Sequence, residues 1–271
     1  MGKSKGRFFI RTQRYVCGDY LDIDIYPVFR KRGKRGKKSK PSTEIQRKLN
    51  KRNAEKRLVR LAHLNFTEQD IALTLTYDIE PGSPEEAQRI LYNFFQRIKR
   101  KRKKAGLSEL KYISVTEQGK KSGRLHHHVI MSGGLDRDLV EKVWGRGYGN
   151  SRRLQFGNDG ISGLVHYITK GNLLYRGYNC SKNLDKPVPM TDDRSMTLRG
   201  VKALTEVFRY EGEKAYFETM FSGYGFTEGR WIRNDVNGRD YFFITMYKYK
   251  QMKASGGCVN EEQNKKRIQK R

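Results

Sequence analysis

The chain has 271 residues, which suffices for one large domain or two small ones. Its 57 Lys and Arg residues outnumber its 29 Asp and Glu residues, so the net charge is +28. Such a field attracts polyanions, above all nucleic acid, and no apolar run is long enough to predict a membrane span or a secretory signal. Three cysteines far apart form no zinc motif or disulfide framework, which favours a reducing cytoplasm.

The N-terminal region, residues 1–62, is predicted to be a basic arm that ends in a helix. Alternating apolar and polar residues within 1–28 predict a small hairpin. The Gly-rich basic run at 30–41 is typical of a solvated linker, and residues 43–62 predict a basic helix.

Residues 66–190 are predicted to be the folded centre, which begins with a strand and a helix. The β-rich alternation at 70–78 predicts the strand. Ser83 is a suitable N-cap, Pro84 fits the first helical position, and Glu86 completes a capping box, so a helix is expected to start there.

The rest of this region predicts further strands at 110–117, 124–132 and 152–159, and helices at 136–144 and 161–172. The element order is therefore β-α-β-β-α-β-α. It predicts an α+β fold in which an antiparallel sheet carries helices on one face, as in ferredoxin-like domains.

The C-terminal part is predicted to be an aromatic-rich accessory region, 191–253, followed by a basic tail, 254–271. An Asn-Gly pair before an alternating segment indicates a hairpin. Its interleaved aromatic and basic residues could stack on single-stranded DNA, or form a small accessory core. The tail is predicted to be disordered and to add salt-sensitive affinity for nucleic acid.

The sequence GRLHHHVIM, residues 123–131, contains three of the chain's five histidines. Residues two apart in a strand share a face, so His126 and His128 are expected to point one way and His127 the other. Glu117 ends the preceding strand, and a hairpin would bring its carboxylate to the imidazole pair. Two imidazoles and a carboxylate suit Mn²⁺ or Mg²⁺ acting on phosphate oxygens. The alternative is a polar edge strand with imidazoles facing solvent.

Tyr167 and Lys170 are three residues apart in a predicted helix and therefore share a face. A phenol is a poor nucleophile near neutral pH, and a nearby cation or metal ion would favour the phenolate. Lys170 could supply that charge to the phenolate or to a phosphate. Alternatively, Tyr167 is an ordinary packing or surface residue and Lys170 complements the helix dipole.

Three sequences together resemble the motifs of HUH endonucleases, specifically the rolling-circle replication initiators of small circular single-stranded DNA phages, viruses and plasmids. They are DIALTLTYD (70–78), TEQGKKSGRLHHHVI (116–130) and HYITK (166–170). The resemblance implies metal ligands at His126, His128 and Glu117. It also implies a single nucleophile at Tyr167, supported by Lys170.

The resemblance implies that the chain binds an origin as single-stranded or hairpin DNA, cuts it, and forms a 5′-phosphotyrosine link and a free 3′-OH. A host polymerase would extend that end, and a reverse transfer would rejoin the strands. No P-loop motif occurs, so a host helicase would be needed, in the cytoplasm of a bacterial cell. Candidate DNA-binding residues are Arg124, Lys99, Arg100, Lys101 and Arg102.

Two other functions fit part of the pattern. An HUH transposase or relaxase would share the chemistry, although relaxases usually carry their tyrosine near the start of the chain, whereas Tyr167 follows the histidines. A non-catalytic RNA- or DNA-binding protein would need only the charge and the sheet. A covalent protein–DNA adduct separates the enzymes from the binding protein.

Overall fold

The computed structural model describes residues 8–29, 44–119, 123–170, 172–173, 177–235 and 237–249. The predicted linker at 30–41 and tail at 254–271 therefore lie outside the described residues.

The described residues form eleven strands and six helices. The strands are β1 (Phe8–Cys17), β2 (Tyr20–Phe29), β3 (Ile71–Leu75), β4 (Tyr112–Gln118), β5 (Leu125–Met131), β6 (Gly149–Arg153), β7 (Asn172–Leu173), β8 (Asn179–Cys180), β9 (Met190–Asp192), β10 (Tyr224–Asn234) and β11 (Arg239–Lys248). The helices are α1 (Glu44–Asn65), α2 (Pro84–Lys104), α3 (Arg137–Trp144), α4 (Ser162–Thr169), α5 (Leu198–Arg209) and α6 (Glu213–Met220).

The central sheet has the order β6-β3-β5-β4-β7, with β8 also pairing with β4, and every neighbouring pair is antiparallel. The predicted α+β class is confirmed. The strand expected at 152–159 instead occupies Gly149–Arg153. Beyond it the backbones of Gly157 and Gly160 bond to each other, which turns the chain into α4.

Helices cover both faces of the central sheet, whereas the prediction placed them on one. One face packs on α2 and α3 through residues such as Leu73, Phe94 and Trp144. The other packs on α4 and α1, where Ile130 joins the same apolar cluster as Val165. The reason is that the strands carry apolar residues on both sides, so both sides must be buried.

The start of α2 follows the predicted cap closely. Ser83 Oγ accepts a hydrogen bond from the Glu86 amide at 3.1 Å, with Pro84 at the first helical position. The Glu86 carboxylate reaches back to the Gly82 amide at 2.8 Å, one residue earlier than in a standard capping box. This cap fixes the register of the apolar stripe that α2 packs on the sheet.

A second antiparallel sheet has the order β10-β11-β2-β1-β9. The hairpin β1–β2 was assigned to the N-terminal arm and β10–β11 to the C-terminal region, yet the two hairpins lie side by side. Helix α1 lies against this sheet, where Arg60 binds Asp22 at 2.6 Å and Asp24 at 2.7 Å. The domain boundaries predicted from the sequence stay a prediction.

Gly160, just before α4, is one of the glycines whose surroundings leave no room for a side chain. Its φ is +64°, and a Cβ there would lie 2.2 Å from His63 Nε2 and 2.6 Å from the Tyr247 ring. We expect Gly160→Ala to lower the free energy of unfolding by more than about 2 kcal/mol, because steric overlap adds to the left-handed backbone strain. Urea denaturation measures the change.

Gly106→Ala is the matched control for this prediction. Gly106 has almost the same φ, +65°, but nothing lies within 4 Å of an added Cβ. It should cost only the backbone strain, about 1 kcal/mol. Equal losses in the two variants would contradict the packing argument.

Candidate functional site

Two of the three consecutive histidines, His126 and His128, lie on the face of the central sheet that packs on α4. In the β4–β5 pairing, His126 lies opposite Glu117 and His128 lies opposite Val115. His128 Nε2 is 3.1 Å from Glu117 Oε1, and His128 Nδ1 is 3.4 Å from Thr74 Oγ1. The antiparallel hairpin therefore joins the predicted carboxylate to one predicted imidazole.

His127 points to the opposite face and is a fully buried residue of the core. Its Nε2 lies 2.6 Å from the Tyr77 hydroxyl and its Nδ1 lies 2.8 Å from Thr116 Oγ1, so both ring nitrogens have partners. Burial, together with the neighbouring His128 and His126, lowers the pKa of His127 to about 3. His127 is therefore neutral, and it supports the strand that carries its two neighbours.

This buried imidazole makes stability depend on pH. The folded-state pKa lies below the unfolded value of about 6.5, so the unfolded chain takes up a proton that the folded chain does not. Stability should be complete above about pH 6.5 and fall toward about pH 3 by up to about 1.4 kcal/mol per pH unit. Urea denaturation across that range measures the slope.

His127→Gln cannot titrate there and should lose most of the slope between about pH 6.5 and 4.5. Below about pH 4.5, carboxyl groups whose pKa is lowered in the folded chain, such as Glu80, Asp185 and Asp193, add a slope in the same direction in both proteins. A smaller slope should remain from His63, because burial also lowers the pKa of that imidazole. A slope unchanged by His127→Gln would contradict the assignment.

Tyr167 stands exposed on α4, with 66% of its surface accessible. Its ring centroid is 5.9 Å from that of His128, in a T-shaped arrangement. The structure therefore brings the predicted nucleophile to one of the two predicted imidazole ligands, His128. Lys170 follows as the C-cap of α4 and is also exposed, with its amide 3.4 Å from the Tyr167 carbonyl oxygen.

Contacts from α1 hold α4 in this position. The Ile161 amide, at the start of α4, donates to His63 Nε2 at 3.0 Å. Further along, Glu55 Oε1 lies 2.8 Å from His166 Nδ1 and accepts from Thr169 Oγ1 at 3.1 Å. Helix α1, which was assigned to the basic arm, thus contributes residues that hold α4, and with it Tyr167, in place.

A cavity of about 410 Å³ lies beside Tyr167 and His128. Its lining includes Thr74, Asn150 and Arg152, none of which the sequence analysis singled out. The β3–β6 pairing places Asn150 opposite Thr74 and Arg152 opposite Ala72. Alternation along β6 was the available signal, and it was hidden because the strand was expected to begin at residue 152.

The predicted DNA-binding residues occupy different environments. Arg124 pairs with Glu80 at 2.8 Å and donates to the Tyr77 carbonyl. Arg102 is buried and donates to the carbonyl oxygens of Ser108, Ser132 and Gly133. The other three candidates are exposed on α2, which packs on the face of the sheet opposite to α4: Lys99, Arg100 and Lys101.

The imidazole nitrogens and the carboxylate oxygen at this site are of the chemical types that bind divalent metal ions. His126 Nδ1 is buried and has no hydrogen-bond partner among the described residues, and such an atom calls for an explanation, such as an ion. Across the same residues, no three His, Cys, Asp or Glu side chains are grouped so as to hold a metal ion. His128 and Glu117 are in contact, and His126 does not form a group of three with them.

The site therefore consists of an exposed tyrosine beside a histidine–carboxylate pair on an antiparallel sheet. Residues 70–172 match the model of a family described as Replication-associated protein ORF2/G2P. The matched stretch contains Glu117, the three histidines and Tyr167, and it supports a role in replication initiation. Searches of the curated proteins and of the solved structures gave no match.

None of the helices in the described part of the chain is long and apolar enough to cross a membrane.

Proposed function

We propose that the chain is an HUH-type replication initiator that cuts single-stranded origin DNA with Tyr167 and later rejoins it. The observation that carries this proposal is the pairing of an exposed phenol with His128, 5.9 Å between ring centroids, inside the stretch that matches a replication-associated family. An ordinary surface tyrosine would not need to lie beside a histidine of the motif.

In the proposed reaction, Tyr167 Oη attacks the phosphorus of the scissile phosphodiester. The new O–P bond replaces the bond to the 3′ oxygen, so the 5′ phosphate becomes attached to the protein. The phenol loses its proton and the departing 3′ oxygen gains one. The 3′-OH can then prime a host polymerase, and its attack on the phosphotyrosine reverses the transfer without ATP.

We propose that His126, His128 and Glu117 hold Mn²⁺ or Mg²⁺. When bound, such an ion polarises the phosphate oxygens. Thr74 bonds the other nitrogen of His128 and so orients the ring, as partners of metal-binding histidines usually do. Lys170, the C-cap of α4, and Arg152, which lines the cavity beside Tyr167, would supply positive charge to the phosphate.

The proposal requires a DNA partner and, because the chain has no P-loop, a host helicase to unwind the duplex ahead of the polymerase. A host polymerase would extend the free 3′ end. The net charge of +28 favours association with DNA in any of these steps.

The test uses a randomised pool of single-stranded oligonucleotides labelled at the 3′ end, incubated with the protein and Mn²⁺. Because the 5′ phosphate is the linked group, the labelled fragment should migrate with the protein in a denaturing gel. Sequencing the captured fragments identifies the cleavage site. DNA binding without any adduct, on this pool and on the origin of the genome that encodes the chain, would favour the non-catalytic binding protein.

A further inference from the structure

A cleft of about 850 Å³ lies between α2 and the segment 179–183. It lies on the face of the sheet that packs on α2 and α3, which is the face opposite to Tyr167. We call it the α2 cleft. It is larger than the cavity beside Tyr167, and among the residues that the structure describes the two linings have none in common.

One wall of the α2 cleft is a single stripe of the helix. Tyr92, Gln96, Lys99 and Lys103 all line it, at successive spacings of four, three and four residues. Residues at these spacings lie one above another on a helix surface. The stripe therefore presents an aromatic ring, an amide and two ammonium groups along one line.

The opposite wall adds a third lysine, Lys182. Lys99, Lys103 and Lys182 are exposed, and none of them forms an ion pair with any residue that the structure describes. Glu109 is the one acidic residue in the described lining. The cleft therefore has a surplus of positive charge that is available to phosphates.

The same cleft offers an aromatic surface. Tyr92 is 59% exposed, although an aromatic ring on a helix gains from burial. A second aromatic residue of the lining, Tyr112, stacks on Phe95, with ring centroids 3.7 Å apart and planes at 16°. Tyr112 lines the cleft and is held rigid by this contact, whereas Tyr92 is free to receive a base.

We propose that the α2 cleft binds single-stranded DNA, with lysines on successive phosphates and a base stacked on Tyr92. Basic grooves with exposed aromatic rings are the usual device for binding single strands without reading their sequence. A duplex fits less well, because its bases are already stacked and cannot reach Tyr92.

The α2 cleft and the cavity beside Tyr167 lie on opposite faces of the sheet, and both lie near the strands that pair with β4. Along β4, Ile113 pairs with Cys180 at the cleft and Glu117 pairs with Leu173 near the site. These positions are four residues apart, about 13 Å at ~3.3 Å per residue. A strand that passes around this edge of the sheet could therefore be retained in the cleft while Tyr167 acts on it.

The binding proposal does not depend on Tyr167 chemistry, so its test uses Tyr167→Phe as the parent protein. A fluorescent oligo-dT probe is titrated at several salt concentrations and followed by anisotropy. The variant Lys99→Ala/Lys103→Ala/Lys182→Ala should reduce the slope of log affinity against log salt by about 2, since each phosphate contact on a single strand contributes about 0.7.

The matched control, Lys104→Ala/Lys142→Ala/Arg146→Ala, removes three exposed charges from α2, α3 and the residues just after α3 that do not line the cleft. It should change the slope much less. Equal changes in the two triple variants would mean that only the general charge of the surface matters, and would overturn the proposal.

Tyr92 gives the second arm of the experiment. Tyr92→Ala should weaken binding of oligo-dT by about tenfold, and Tyr92→Phe should not, because stacking needs the ring and not the hydroxyl. A hairpin duplex probe should be insensitive to Tyr92→Ala. The proposal is overturned if Tyr92→Ala leaves oligo-dT binding unchanged, or if it weakens the duplex to the same extent.

Discussion

Tyr167→Phe should abolish the covalent adduct and reduce strand cutting by at least about 10³-fold, because it removes the atom that attacks phosphorus. The side chain is 66% exposed, so the free energy of unfolding should change by no more than about 0.5 kcal/mol. Affinity for single-stranded DNA should also be nearly unchanged. Quantitative denaturing gels, urea denaturation and anisotropy separate these three quantities.

Tyr210→Phe is the control, since Tyr210 is also exposed and lies at the end of α5, away from the cavity. It should form the adduct at the rate of the unchanged protein. A Tyr167→Phe protein that still forms an adduct would move the nucleophile to another residue and contradict the proposal.

The second large effect on DNA cutting is expected from substitution of His126 and His128. Removing both proposed imidazole ligands with His126→Ala/His128→Ala should reduce cutting by at least about 10²-fold at saturating Mn²⁺, and a chelator should do the same to the unchanged protein. Salt-dependent DNA binding should persist, because phosphates are held by cations elsewhere on the surface. Cleavage assays and anisotropy on the same probe measure the two effects.

The control for this pair is His127→Gln, which alters the same strand on its other face. It should keep the ability to cut DNA under conditions where it is folded, although its stability and the pH dependence of its stability change. Unchanged cutting by the double variant would remove the metal site from the account. Loss of cutting in His127→Gln alone, with folding intact, would assign the wrong face.

Local signals in the sequence were enough for much of the fold. The Ser83 cap that begins α2 depends on residues within one turn, and the structure contains it. The alternation in β5 separates His127 from its neighbours because strand geometry alone decides the face of each residue. These features need no knowledge of distant contacts.

The second sheet could not be predicted in the same way. It pairs β2 with β11, which lie more than half the chain apart, and a strand pattern does not specify a partner that far away. Helix α1 was predicted only as a basic helix of the N-terminal arm, because the sequence shows its charges but not their partners. In the structure, Arg60 is buried against Asp22 and Asp24.

The same limit applies to the site. Glu117 and His128 meet because they belong to one hairpin, which the sequence makes plain. Asn150 and Arg152 reach the cavity only through the pairing of β6 with β3, and Arg102 is drawn into the protein by three carbonyl groups contributed from two loops. Charge alone could not distinguish Arg102 from its exposed neighbours.

The most direct measurement is mass spectrometry of the peptides released from the protein after reaction with single-stranded DNA and nuclease digestion. The account predicts a nucleotide joined through its 5′ phosphate to the peptide that contains Tyr167, and to no other peptide. A nucleotide on a different residue, or attachment through the 3′ end of the DNA, would contradict it.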